Sequence, residues 1–136
     1  MSNTGYSETP LSKKLGIKAG TRVALIAAPA ELTALLEPLP EGVRLHRRLA
    51  SNIDLIVFFV TGRSQLDARF DRLETAFARD GALWVAWPKR ASGVKTDLTE
   101  NVIREIALGR GLVDTKVCAI SDVWSGLRLV RRRKDR

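Results

Sequence analysis

The chain has 136 residues, a formal net charge of +8 at neutral pH, 45% hydrophobic residues, one Cys and one His. That length suits one domain, and the hydrophobic share supplies a core that needs no staples. A single Cys excludes an internal disulfide, one His leaves no zinc-binding cluster, and no apolar run approaches the roughly 18 residues of a membrane helix.

Residues 1–8 are small and polar and are expected to be flexible. Thr9 and Pro10 predict an N-cap and a first helical position, with a short helix through Leu11 and Leu15 that stops at Gly16. Gly20 marks a turn. Thr21–Ala27 reads as the first strand, because Val23, Leu25 and Ile26 form the nearly continuous apolar run of a strand buried on both faces. Pro29 starts a helix with Leu32, Leu35 and Leu36 on one face, and Pro38 and Pro40 end it. Val43–Leu49 is a weaker strand. Ile53–Val60 is the strongest, with Asp54 as its only charge.

Ser64 begins the next helix, with Asp67 at capping-box spacing and Leu66, Phe70, Leu73 and Phe77 as its core stripe. Asp80-Gly81 predicts a turn into a strand over Ala82–Trp87, and Pro88–Thr96 reads as a loop. Asp97 and Glu100 give another capping-box start, for a helix with Leu98, Val102 and Ile106 inward and Gly109 and Gly111 at its end. Val113–Ser121 and Gly126–Arg131 are the last strands, around a turn in which Trp124 either covers the hairpin or presents an exposed ring.

Apolar strands alternating with amphipathic helices predict an α/β fold, a Rossmann-like three-layer open sheet, mostly parallel, of about six strands. The last two strands lie too close for a crossover and should form a C-terminal antiparallel hairpin. Residues 1–136 read as a single α/β domain, with the flexible segment 1–8 and a basic tail over 131–136. An open sheet ending in such a hairpin resembles the Rossmann-like methyltransferases.

The charge is unevenly placed. Arg131, Arg132, Arg133, Lys134 and Arg136, against Asp135, put +4 of the +8 on the last six residues. A second cluster, Arg44, Arg47 and Arg48, surrounds His46. Both serve as solvated surface or, through the tail, as a contact for nucleic acid; neither interleaves aromatics that would stack bases. No membrane contact is expected. With no signal-peptide pattern at the start, a cytoplasmic location is expected.

Ligands of open α/β sheets collect at the carboxyl ends of the strands. Thr61, Gly62, Arg63 and Ser64 follow the third strand, and Lys89, Arg90, Ser92, Gly93, Lys95, Thr96 and Asp97 follow the fourth. Cations, hydroxyls and a helix N-terminus on one edge suit a phosphate or carboxylate. The same residue types also cap helices and turn loops, so the edge has a purely structural reading as well. The loop is nonetheless longer than most strand-to-helix connections, which favours a site.

A dinucleotide or S-adenosylmethionine pocket needs glycines after the first strand, where this chain has VALIAAPAEL, and no acidic residue follows the second strand. No cofactor is therefore expected. Cys118 lies in a predicted buried strand, and a catalytic pair with His46 would require these two to meet.

The GYSETPLSKKLGIKAG start and the WPKRASGVKTDLTE block resemble a family of small bacterial proteins of unknown function. The resemblance spans nearly the whole chain and implies a standalone cytoplasmic protein whose distinctive residues concentrate between Trp87 and Glu100. Three readings follow. The preferred one is a non-catalytic binding or regulatory module on a degenerate methyltransferase-like fold, taking a small anionic ligand or a protein partner at the Thr61–Ser64 and Lys89–Asp97 edge. The second is an enzyme using Lys89 or Ser92, and the third a nucleic-acid-associated protein using the basic tail.

Overall fold

A computed structural model describes residues 9–136 of the chain; the expectation for residues 1–8 lies outside them. The elements are α1 (Leu11–Leu15), β1 (Arg22–Ile26), α2 (Leu32–Leu36), β2 (Arg44–His46), β3 (Ile53–Phe59) and α3 (Arg63–Ala76). They continue with β4 (Phe77–Pro88), α4 (Glu100–Gly109), β5 (Leu112–Ala119) and β6 (Trp124–Arg131). The strands form one six-stranded sheet in the order β2-β1-β3-β4-β6-β5. β2, β1, β3 and β4 pair in parallel, whereas β6 runs antiparallel to both β4 and β5. This is the mostly parallel, three-layer α/β sheet with a terminal antiparallel hairpin that the residue pattern predicts.

Each face of the sheet carries its own core. Ile26, Ile56, Phe58, Leu83, Val85 and Leu127 pack on one side with Leu66, Phe70 and Leu73 of α3 and Ile103 and Ala107 of α4. Val23, Leu25, Val57, Phe59 and Trp84 pack on the other with Leu15 of α1 and Leu32 and Leu36 of α2. Strand alternation explains why Trp84 and Trp87 fall in different cores. Trp84 is fully buried, and its indole N–H donates to the Leu15 carbonyl at 2.9 Å, tying α1 to the sheet.

Several boundaries differ from expectation, each for a local reason. Pro10 is the N-cap of α1 and not its first helical residue, while Gly16 ends the helix at φ 84° as expected. The helix expected from Pro29 starts at Leu32. β2 stops at His46, so Arg47 and Arg48 lie outside the strand. Phe77 is the first residue of β4 and not the last of a helical stripe, and no turn interrupts the strand at Asp80-Gly81. A register shift between Ile53 and Leu55 absorbs the mismatch against β3. A Cβ at Gly81 would lie 2.6 Å from the Asp54 carbonyl oxygen, so close backbone approach explains this glycine.

In α4 the sheet-facing residues are Ile103 and Ala107, with Val102 and Ile106 at the margins; Leu98 is buried but precedes the helix. The helix begins two residues later than Leu98, which takes that side chain out of helical phase. Trp124 belongs to β6 and meets Phe59 edge-on, with ring centroids 5.1 Å apart, so it covers the hairpin face. No helix among the described residues is long and apolar enough to cross a membrane.

Candidate functional site

The chain leaves β1 to form β2 on one side and returns to place β3 on the other, so strand order reverses between β1 and β3. The segments beyond the carboxyl ends of β3 and β4 meet beside this point. The Thr96 hydroxyl donates to the Thr61 carbonyl at 2.6 Å and accepts from the Leu98 N–H at 3.0 Å. The Arg63 N–H donates to Asp97 Oδ1 at 2.8 Å.

This contact corrects two expected caps. α3 begins at Arg63 behind Gly62, neither Ser64 nor Asp67 caps it, and Asp97 reaches across from the other loop to accept one of its free amides. α4 is capped by Thr99, whose Oγ1 accepts from the Val102 N–H at 3.2 Å, and not by Asp97. The amino end of α3 is thus already served by the chain's own carboxylate. Arg63 itself points to solvent, 4.0 Å from Asp67.

The β4–α4 loop is built by its own hydroxyls. The Ser92 hydroxyl donates to the Lys89 carbonyl at 2.6 Å and accepts from the Val94 N–H at 3.2 Å, closing a single 3-10 turn over Arg90–Ser92. Gly93 follows at φ 80°, a left-handed conformation that glycine adopts without strain. The Lys89 N–H donates to the Val123 carbonyl at 2.7 Å, pinning the loop to the β5–β6 turn.

These bonds shape a groove of about 470 Å³ against the start of α4. Of the residues expected at the site, Arg90, Gly93, Lys95 and Thr96 line it, joined by Trp87, Val94, Leu98 and Thr99. Thr61, Gly62, Arg63, Ser64, Lys89, Ser92 and Asp97 are not in its lining. Arg90 and Lys95 are exposed, and neither forms an ion pair among the described residues. Glu100, also in the lining, is bound by Arg104, which Asp114 and Glu100 hold more firmly protonated than usual. Trp87 is both core and wall, buried yet bordering the groove.

Elsewhere the expected chemistry separates. His46 ends β2 and Cys118 lies in β5, at opposite edges of the sheet, so the two cannot pair. Cys118 is half-buried in an edge strand, and burial pushes its thiol above the ordinary value against the pull of Lys14 and Lys116. Arg131 is not a free tail residue. Its guanidinium donates to the carbonyls of Glu74, Ala78 and Phe77 at 2.6, 2.8 and 3.3 Å and lies 3.9 Å from the Phe77 ring centre. Among the described residues, no three of His, Cys, Asp and Glu are grouped to hold a metal ion.

The carboxyl end of β1 is poorly made for a nucleotide-type cofactor. Ala27 sits at φ 58°, a conformation that favours glycine, and Pro29 has no N–H to offer. β2 ends in His46 followed by Arg47 and Arg48, with no carboxylate there to accept ribose hydroxyls. The residues present do not fit that cofactor.

No family model and no curated protein matches the chain. Solved structures do match. A SAM-dependent methyltransferase from Aquifex aeolicus superposes with a TM-score of 0.66 at 15% identity, over 86% of this chain and 85% of that one. A putative type 11 methyltransferase from Sulfolobus solfataricus gives 0.61 at 14% identity, over 90% and 89%. A ribosomal protein L11 methylase from Lactobacillus delbrueckii subsp. bulgaricus gives 0.57 at 14% identity, over 90% and 75%. The chain has the α/β Rossmann-like fold of the methyltransferases.

Proposed function

We propose that this chain is a non-catalytic binding module on a methyltransferase-like fold, taking a small anionic ligand in the groove between Trp87 and Glu100. The observation that carries the reading is the placement of two exposed cations, Arg90 and Lys95, without an ion pair among the described residues, around a groove at the start of α4. The first amides of a helix lack intrahelical acceptors, and its dipole favours negative charge there. Arg90 and Lys95 add full charges to that partial one. The neighbouring methyltransferases lend the fold, but the Ala27-Ala28-Pro29 turn and the His46-Arg47-Arg48 end of β2 argue against SAM as the ligand of this chain.

An enzymatic reading has less support at this edge. The Ser92 hydroxyl is occupied in its turn by Lys89 and Val94, and Lys89 is absent from the groove lining. Native mass spectrometry of gently purified protein tests the proposal. The wild type should carry a small adduct that is missing from the Arg90→Ala/Lys95→Ala variant purified identically. An apo mass for the wild type, or an adduct that persists in the variant, contradicts it.

A further inference from the structure

β2 and β3 are parallel and flank β1, yet the connection between them is only Arg47 to Asn52, the six residues between His46 and Ile53. Such crossovers ordinarily take a dozen or more residues and include a helix. Here a short bent segment without helix or strand makes the crossover, with Leu49 and Ala50 packed on the α3 side and Asn52 at φ 57° where the chain enters β3. Among the described residues, no other helix contributes to the lining of that flank of α3. What remains is a groove of about 540 Å³ between the crossover and the helix.

The groove has an apolar floor of Ile26, Leu49, Ala50 and Ala76, and a rim of Arg47, Arg48, Arg69 and Arg72. Arg69 and Arg72 are three residues apart on α3, which puts them on one helix face. All four arginines are exposed, and among the described residues no acidic side chain lines the groove. Among the described residues, the carboxylates in ion pairs go to Arg63, Arg104 and Arg110, and to none of these four. Arg47 donates to Thr33 Oγ1 at 2.8 Å, and Arg69 lies 5.5 Å from the Phe58 ring centre, so both are partly held in place. Like charges gathered around an apolar floor repel one another until an anion joins them.

We propose that this groove binds a nucleoside polyphosphate. Guanidinium forks match phosphate oxygens two at a time, and the apolar floor offers surface to a planar base. The volume falls within the range of about 300–1,000 Å³ usual for small-ligand sites. Among the described residues, no aromatic side chain lines the groove to stack successive bases, which disfavours single-stranded RNA as the occupant.

Isothermal titration with ATP is the test, with inorganic phosphate and a ten-nucleotide RNA as comparison probes. ATP should bind the wild type more tightly than either probe. Arg48→Gln/Arg72→Gln should weaken ATP by about tenfold or more, while Lys13→Gln, at an exposed cation of α1 that lines neither groove, stays within about twofold. Should the double variant misfold by circular dichroism, Arg48→Gln and Arg72→Gln are read singly, each with an expected loss of about threefold or more. Undetectable ATP binding, unchanged affinity in the Arg48 and Arg72 variants, phosphate equal to ATP, or RNA tighter than ATP each overturns the proposal.

Discussion

Gly81 and Gly126 illustrate how single positions decide whether the sheet closes. A Cβ at Gly81 would meet the Asp54 carbonyl oxygen at 2.6 Å, a backbone atom that cannot move alone. A Cβ at Gly126 would meet Ile120 Cδ1 at 2.8 Å and Trp84 Cε3 at 3.0 Å, of which the isoleucine tip can rotate away. Gly81→Ala should therefore cost about 2–3 kcal/mol and Gly126→Ala about 1–2 kcal/mol, read from urea unfolding. Equal costs would contradict the distinction. The Cys118 thiol, raised by burial, gives a residue-scale pH effect. The unfolded chain ionises it more easily, so its contribution is present below the ordinary value of 9.0 and is lost as pH rises through the folded value. Cys118→Ser should flatten the decline of stability above pH 9.0, measured by denaturant titrations across the alkaline range.

At the scale of elements, the interactions that matter most connect pieces distant in sequence. Asp97 caps α3, 34 residues away, through the Arg63 N–H. Asp97→Ala should destabilise the fold by about 1 kcal/mol, as loss of a helix cap does, and Asp97→Asn, which keeps an acceptor, by less. Arg131 fastens the end of β6 to the α3–β4 junction. Replacing it with Met should cost about 2 kcal/mol, through three lost hydrogen bonds and the contact with Phe77. Removing residues 132–136 should change stability by no more than about 0.5 kcal/mol in thermal melts. The strands were legible because IDLIVFF and RVALI are apolar on both faces, which a buried parallel sheet requires. The true partner of Asp97 was not, because a helix cap supplied by another loop leaves no local spacing. Arg131 was hidden for a similar reason, since a run of basic residues reads as a tail until the carbonyls around it are known.

For the whole molecule, the methyltransferase-like fold and its site are separable. Sheet order and terminal hairpin follow from the pattern of strands and helices, and the structural neighbours superpose on this fold at 10–15% identity. The β1 end, where the turn would have to cradle a nucleotide-type cofactor, carries Ala27 at positive φ and Pro29. Charge instead gathers on the β4–α4 loop and along the uncovered flank of α3. Of the groove's ten lining residues, four are legible in sequence: Arg90, Gly93, Lys95 and Thr96. Arg63 and Lys89 are indistinguishable from them in composition, yet neither lines the groove. The arginine groove needed the fold itself, because Arg47 and Arg48 meet Arg69 and Arg72 across a crossover too short to predict.

The ligand edge of this fold has its proposed small-anion site on the β4–α4 loop and not in the Ala27-Ala28-Pro29 turn that follows β1. Amide chemical shifts during titration of labelled protein with inorganic phosphate at low salt test it most directly. The Gly93, Val94, Lys95 and Glu100 signals should move, and cease to move in Arg90→Ala/Lys95→Ala, while Ala27 and Ala28 stay still. Shifts centred on Ala27 and Ala28, with the loop signals unmoved, would contradict it.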